Sequence, residues 1–145
     1  MREEKDVLIP VRDGARMAVR IYRPEGAGPF PALFATSPYR YDNNTLPAYP
    51  LFLWRETGPI EWYVEQGYAY VHADVRGTGR SEGEFEFLGR REQQDLYDII
   101  EWIGNRPWSN GRVGGIGPGA RREEKRVSQD CREARRGPEY RARRG

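Results

Sequence analysis

The chain has 145 residues, with 24 basic and 22 acidic side chains and a net charge of +2. That leaves room for one domain. One cysteine, Cys131, and one histidine, His72, exclude a disulfide framework, a thiolate metal cluster and a multi-histidine metal site. The charged start, Met1-Arg2-Glu3-Glu4-Lys5-Asp6, runs into no apolar stretch of signal-peptide length, and nowhere is there a membrane-spanning run of about 18 apolar residues. A cytoplasmic protein without a membrane partner is the expectation.

In chain order, residues 6–11 predict a short apolar strand around Val7-Leu8-Ile9, and Asp13-Gly14 is a hairpin turn signal. Met17, Val19 and Ile21 alternate with Ala18, Arg20 and Tyr22, which is the period of a partner strand with one wet face. After a Pro- and Gly-rich loop, residues 30–36 predict a strand buried on both faces, ending at Ser37-Pro38-Tyr39. Residues 40–59 read as a long irregular excursion, followed by a short helix over 60–66 that Gly67 closes.

Residues 68–74 predict the next buried strand, which opens into the glycine loop Val75-Arg76-Gly77-Thr78-Gly79-Arg80-Ser81-Glu82-Gly83. The strongest helix signal spans 90–105. Leu96, Ile99, Ile100 and Ile103 form its apolar stripe, and Pro107 stops it. A Ser109-Asn110-Gly111 turn and a Gly-rich strand follow. Strands alternating with helices predict an α/β layer with a mostly parallel sheet.

Four stretches carry a more specific signal. They are Val11-Arg12-Asp13-Gly14 with Ala18-Val19-Arg20-Ile21-Tyr22-Arg23-Pro24; Ser37-Pro38-Tyr39; Ala73-Asp74-Val75-Arg76-Gly77-Thr78-Gly79-Arg80-Ser81-Glu82-Gly83; and Trp102 through Trp108-Ser109-Asn110-Gly111-Arg112-Val113-Gly114. In this order and spacing, residues 6–117 resemble the N-terminal part of the cocaine esterase and X-Pro dipeptidyl-peptidase family of serine α/β-hydrolases. The resemblance implies an incomplete α/β-hydrolase fold, an N-terminal β-hairpin plus the first parallel strands and helices. It also implies a Ser-His-Asp hydrolase of acyl esters, amides or X-Pro peptides that needs no cofactor or metal. Its partners in full-length relatives would be small ester, amide or peptide substrates.

In that family a valine-glycine strand runs into Gly-x-Ser-Tyr. The serine hydroxyl stands proud of the sheet, and the next backbone N–H points at the developing oxyanion. Matched position by position, Gly117 is the first glycine, Pro118 the variable residue, Gly119 the serine and Ala120 the tyrosine. Gly119 has no side chain, so the nucleophile is missing; Ala120 retains the backbone N–H of the oxyanion hole. Ser109 lies in the turn before the strand, and Ser128 lies among charges without a glycine nearby. Neither fits the elbow. Tyr39 matches the tyrosine that, by resemblance, donates its hydroxyl to the oxyanion, since a phenol stays protonated at neutral pH.

Other readings of these residues fall away. His72 precedes the elbow, whereas the fold's triad runs serine, acid, histidine; it reads as a strand residue facing a neighbour. Gly77, Gly79 and Gly83 do not make G-x-G-x-x-G, so the loop is expected to shape the rim, with Asp74 and Arg76 pairing locally. Gly115-Ile116-Gly117-Pro118-Gly119-Ala120 does spell G-x-G-x-x-A, but Pro118 interrupts it and no second apolar strand follows.

Residues 118–145 differ from the rest. They contain no Leu, Ile, Phe, Met or Trp, include nine arginines and carry +5, leaving −3 on the remainder. Such a segment buries too little apolar surface to offset the entropy of ordering. The division is therefore a hydrolase portion over 6–117 and an Arg-rich tail over 118–145, expected to be disordered or frameshifted. The truncation before acid and histidine, with the missing serine, implies an inactive chain. The alternative is a non-catalytic domain with a basic arm for nucleic acid or another anionic partner, although Glu123, Glu124, Glu133 and Glu139 dilute its field. Arg, Gly, Ala and Pro are what out-of-frame translation of a GC-rich gene yields. The source DNA beyond codon 118, translated in the other two frames, is expected to continue the hydrolase pattern in one of them; if neither does, the frameshift explanation fails.

Overall fold

The computed structural model describes residues 1–38 and 57–116. They form the strands β1 (Arg2–Pro10), β2 (Arg16–Arg23), β3 (Phe30–Ser37), β4 (Ala69–Asp74) and β5 (Ser109–Gly115), and the helices α1 (Ile60–Glu65) and α2 (Arg90–Gly104). The sheet order is β1-β2-β4-β3-β5. β1 and β2 are an antiparallel hairpin, β2 joins β4 antiparallel, and β4-β3-β5 run parallel. The sheet is thus mixed rather than mostly parallel, because the hairpin adds to one side of the parallel set.

All six residues of β4 are buried, as expected of a strand covered on both faces. Its side chains alternate between two cores. Val71 and Ala73 join Ile9, Met17, Val19, Ile21 and Phe34 under α2, which contributes Ile99, Ile100 and Ile103. Tyr70 packs with Ala35 and Val64 of α1 on the other face. These three buried isoleucines supply roughly 1.5–3 kcal/mol each by removal from water. They are the principal force holding α2 to the sheet. Pro107 follows the helix after Asn105, whose backbone N–H closes back on Glu101 and Trp102.

The hairpin turns where Asp13-Gly14 predicts. Gly14 has φ 89, the Gly14 N–H bonds to the Val11 carbonyl, and the Val11 N–H bonds to Ala15. β1, however, begins at Arg2, ahead of the apolar pattern that starts with residue 6. Its first residues are held by charge: Glu3 lies opposite Tyr22 and pairs with Arg20 at 2.7 Å, and Glu4 pairs with Arg23. A register shift between Glu4 and Val7, with Asp6 at φ 57, interrupts the ladder. A charged, bulged strand is a poor template for further pairing, which suits an edge position.

Candidate active site at the strand ends

β4, β3 and β5 are parallel neighbours, so their C-terminal ends lie along one side of the sheet, where open α/β sheets bind ligands. Ser37 at the end of β3 is in register with Asp74 at the end of β4. The Val75 N–H continues the ladder to the Ser37 carbonyl at 3.2 Å, and the Ile116 N–H bonds to the Phe34 carbonyl at 2.8 Å. The strand carrying Ser37-Pro38 thus runs beside the one carrying Ile116. Tyr39, Gly119 and Ala120, the three site residues drawn from the sequence, lie outside the described residues, as does the whole tail from residue 118.

The glycine loop after β4 is built from close contacts. Gly77 has φ 69, and a Cβ there would meet the backbone N of Phe85 at 2.3 Å; Gly79 has φ 54, and a Cβ there would fall 2.0 Å from the Asp74 carboxylate, whose space it would take. Any side chain at either position would collide as well as strain the backbone. Asp74 accepts the Arg80 N–H at 3.2 Å, and the Ser81 hydroxyl donates to the Asp74 carbonyl at 2.7 Å while accepting the Ala18 N–H at 2.9 Å. These glycines serve loop closure.

The expected Asp74–Arg76 pair is not formed. Asp74 lies on the same face of β4 as Tyr70, the α1 side, whereas Arg76 turns to α2. There its guanidinium forks onto Asp95 with contacts of 2.7 and 2.6 Å and reaches Asp13 of the hairpin turn at 2.9 Å. Arg76 and Asp95 are each 4% exposed. The hydrogen bonds to Asp95 outweigh burial and hold the Arg76 guanidinium more firmly protonated than usual; the same guanidinium holds the Asp13 carboxyl below the usual carboxylate range. One side chain thus ties the loop after β4 to the hairpin turn and to α2. Nearby, Arg12 grips Asp98 of α2 through its side chain at 2.7 Å and its backbone N–H at 2.9 Å.

The sequence reading missed one pair. The Ser37 Oγ lies 3.2 Å from His72 Nε2, a serine on an imidazole. Ser37 is 1% and His72 4% exposed, and Ser37 sits in a regular strand rather than on a tight turn. This is a satisfied core hydrogen bond, without the exposed hydroxyl that acyl transfer needs. The contact is diagonal, since His72 is in register with Ala35, and no sequence pattern reveals a diagonal. Among the described residues no group of three or more His, Cys, Asp or Glu is arranged to hold a metal ion, and no helix is long and apolar enough to cross a membrane.

Residues 13–119 match the family model described as X-Pro dipeptidyl-peptidase (S15 family). The chain belongs to this family. It is 38% identical over 115 residues to the cocaine esterase of Rhodococcus sp. (strain MB1 Bresler), covering 77% of this chain and 18% of that protein. A CocE/NonD family hydrolase from Staphylococcus aureus superposes with a TM-score of 0.67 at 32% identity, over 79% of this chain and 22% of that one. An α-amino acid ester hydrolase superposes with a TM-score of 0.58 at 27% identity, again over 79% of this chain. The sheet is the N-terminal part of the α/β-hydrolase fold, and the chain spans about a fifth of the length of these relatives.

Because Arg76 is buried on Asp95, Arg76→Leu is expected to destabilise the S15-family chain by about 3–5 kcal/mol in urea unfolding, the effect of leaving a buried carboxylate unpaired. Arg76→Lys is expected to recover only part of this, since a single ammonium cannot fork. A loss below about 1 kcal/mol in Arg76→Leu would contradict the assignment.

Proposed function

We propose that this chain is the N-terminal part of a serine hydrolase acting on acyl esters, amides or X-Pro peptides, and that the sequence as it stands is catalytically silent. The observation that carries the reading is the family match through residue 119, which reaches the elbow. The name of one relative, an esterase, and the description of the family, an X-Pro dipeptidyl-peptidase, support both sides of the substrate range.

In this reading Tyr39 donates its phenolic hydroxyl to the oxyanion of the tetrahedral intermediate, and the Ala120 N–H supplies the second donor. Gly119 stands where the nucleophile belongs. It offers a hydrogen atom, so no acyl-enzyme can form, and donors poised for an oxyanion have nothing to stabilise. The acid and the histidine of the triad follow the elbow in chain order, yet the only histidine is His72, ahead of it. A base for the nucleophile is therefore missing from the sequence as well.

The purified chain is expected to hydrolyse p-nitrophenyl acetate no faster than a heat-denatured control and to take up no fluorophosphonate probe. Turnover above that control together with covalent labelling would overturn the proposal, and peptide mapping of the label would show which hydroxyl had replaced the missing one.

A further inference from the structure

We propose that His72 is a positioning residue for the outgoing end of β3, acting through the Ser37 hydroxyl. This rests on the reading above, in which the gathered strand ends form the site. Ser37 is the last residue of β3, and the next residue, Pro38, has no N–H to give to a ladder. Pairing from β5 stops at Phe34: Phe34 lies opposite Gly115, and the Ile116 N–H takes the Phe34 carbonyl. Among the described residues Ala35, Thr36 and Ser37 therefore extend past the rungs from β5 and are held from the β4 side.

On that side, besides the ladder bond of its own N–H next to Asp74, two ties reach Ser37. One is the final rung, the Val75 N–H on the Ser37 carbonyl at 3.2 Å. The other is the contact between Ser37 Oγ and His72 Nε2, also 3.2 Å, with both side chains buried. The rung fixes the carbonyl, while the imidazole fixes the side chain from two residues further back along β4, because Ser37 is opposite Asp74 and Ala35 is opposite His72. The side-chain bond, at an angle to the ladder, adds to what the backbone rungs hold. The strand thereby ends with Pro38 held in one direction beside β5. The buried serine and histidine share the face of the sheet that carries Ala35 and Tyr70, and this task accounts for their contact.

The test is residue-resolved amide hydrogen exchange on the full chain, comparing Val75, bonded to the Ser37 carbonyl, with Ile116, bonded to Phe34. His72→Ala and Ser37→Ala are each expected to speed Val75 exchange by about fivefold or more, the factor produced by losing one ordinary hydrogen bond, while Ile116 is unchanged. His72→Gln, whose amide can still reach the hydroxyl, is expected to return Val75 to near the wild-type rate. If His72→Ala fails to fold, Ser37→Ala alone decides between the same outcomes. Equal acceleration of Val75 and Ile116 would show a stability effect only and overturn the proposal, as would an unchanged Val75 rate. These readouts need no turnover, so they stand or fall separately from the ester assay.

Discussion

The structure depends on keeping β4 dry on both faces. A strand buried at all six positions cannot lie at an edge or face water. It needs a neighbour on each side and a helix above and below. The antiparallel hairpin supplies one neighbour and β3 the other. Connections through α1 and α2 cover opposite faces, because Val64 and the Ile99, Ile100 and Ile103 stripe sit in different cores. Helical connections between parallel strands carry the chain back to the same starting side each time. The ends of β4, β3 and β5 consequently emerge together, and a site can be assembled there from segments distant in sequence.

Polar groups then set the detail that hydrophobic burial cannot. Arg76 is the clearest case. Its fork onto Asp95, with a further contact to Asp13, makes the position of α2 depend on the hairpin turn and on the loop after β4. Desolvating an arginine and a carboxylate is costly, and such a pair adds less to stability than its geometry suggests. Its value here is in register, since only one placement of three elements satisfies all of its bonds. Asp74, seated in the space left by Gly79, does the same for the loop itself.

Much of this was legible from residues alone. The 3.6-residue spacing of Leu96, Ile99, Ile100 and Ile103 located α2 almost to its ends, and Asp13-Gly14 located the hairpin, because both signals are local. The start of β1 was not legible: Glu3 and Glu4 carry no apolar alternation, and they are in the strand because Arg20 and Arg23 lie across from them. Arg76 was misassigned to Asp74 by proximity in sequence, whereas its partners are 19 residues ahead in α2 and back in the hairpin. The Ser37–His72 contact was missed for the same reason. Tyr39, Gly119 and Ala120 rest on the resemblance and on the chemistry of the elbow and lie outside the described residues; among the described strands, β3 and β5 are adjacent.

That adjacency is the claim on which the functional reading turns. It is tested most directly by cross-strand nuclear Overhauser effects in the isotope-labelled chain. The account expects contacts joining Phe34 to Gly115 and Ser37 to Asp74 in parallel register. If β3 shows contacts to β4 alone, or pairs with β5 in antiparallel register, the ends of β3 and β5 do not emerge side by side, and the account is wrong.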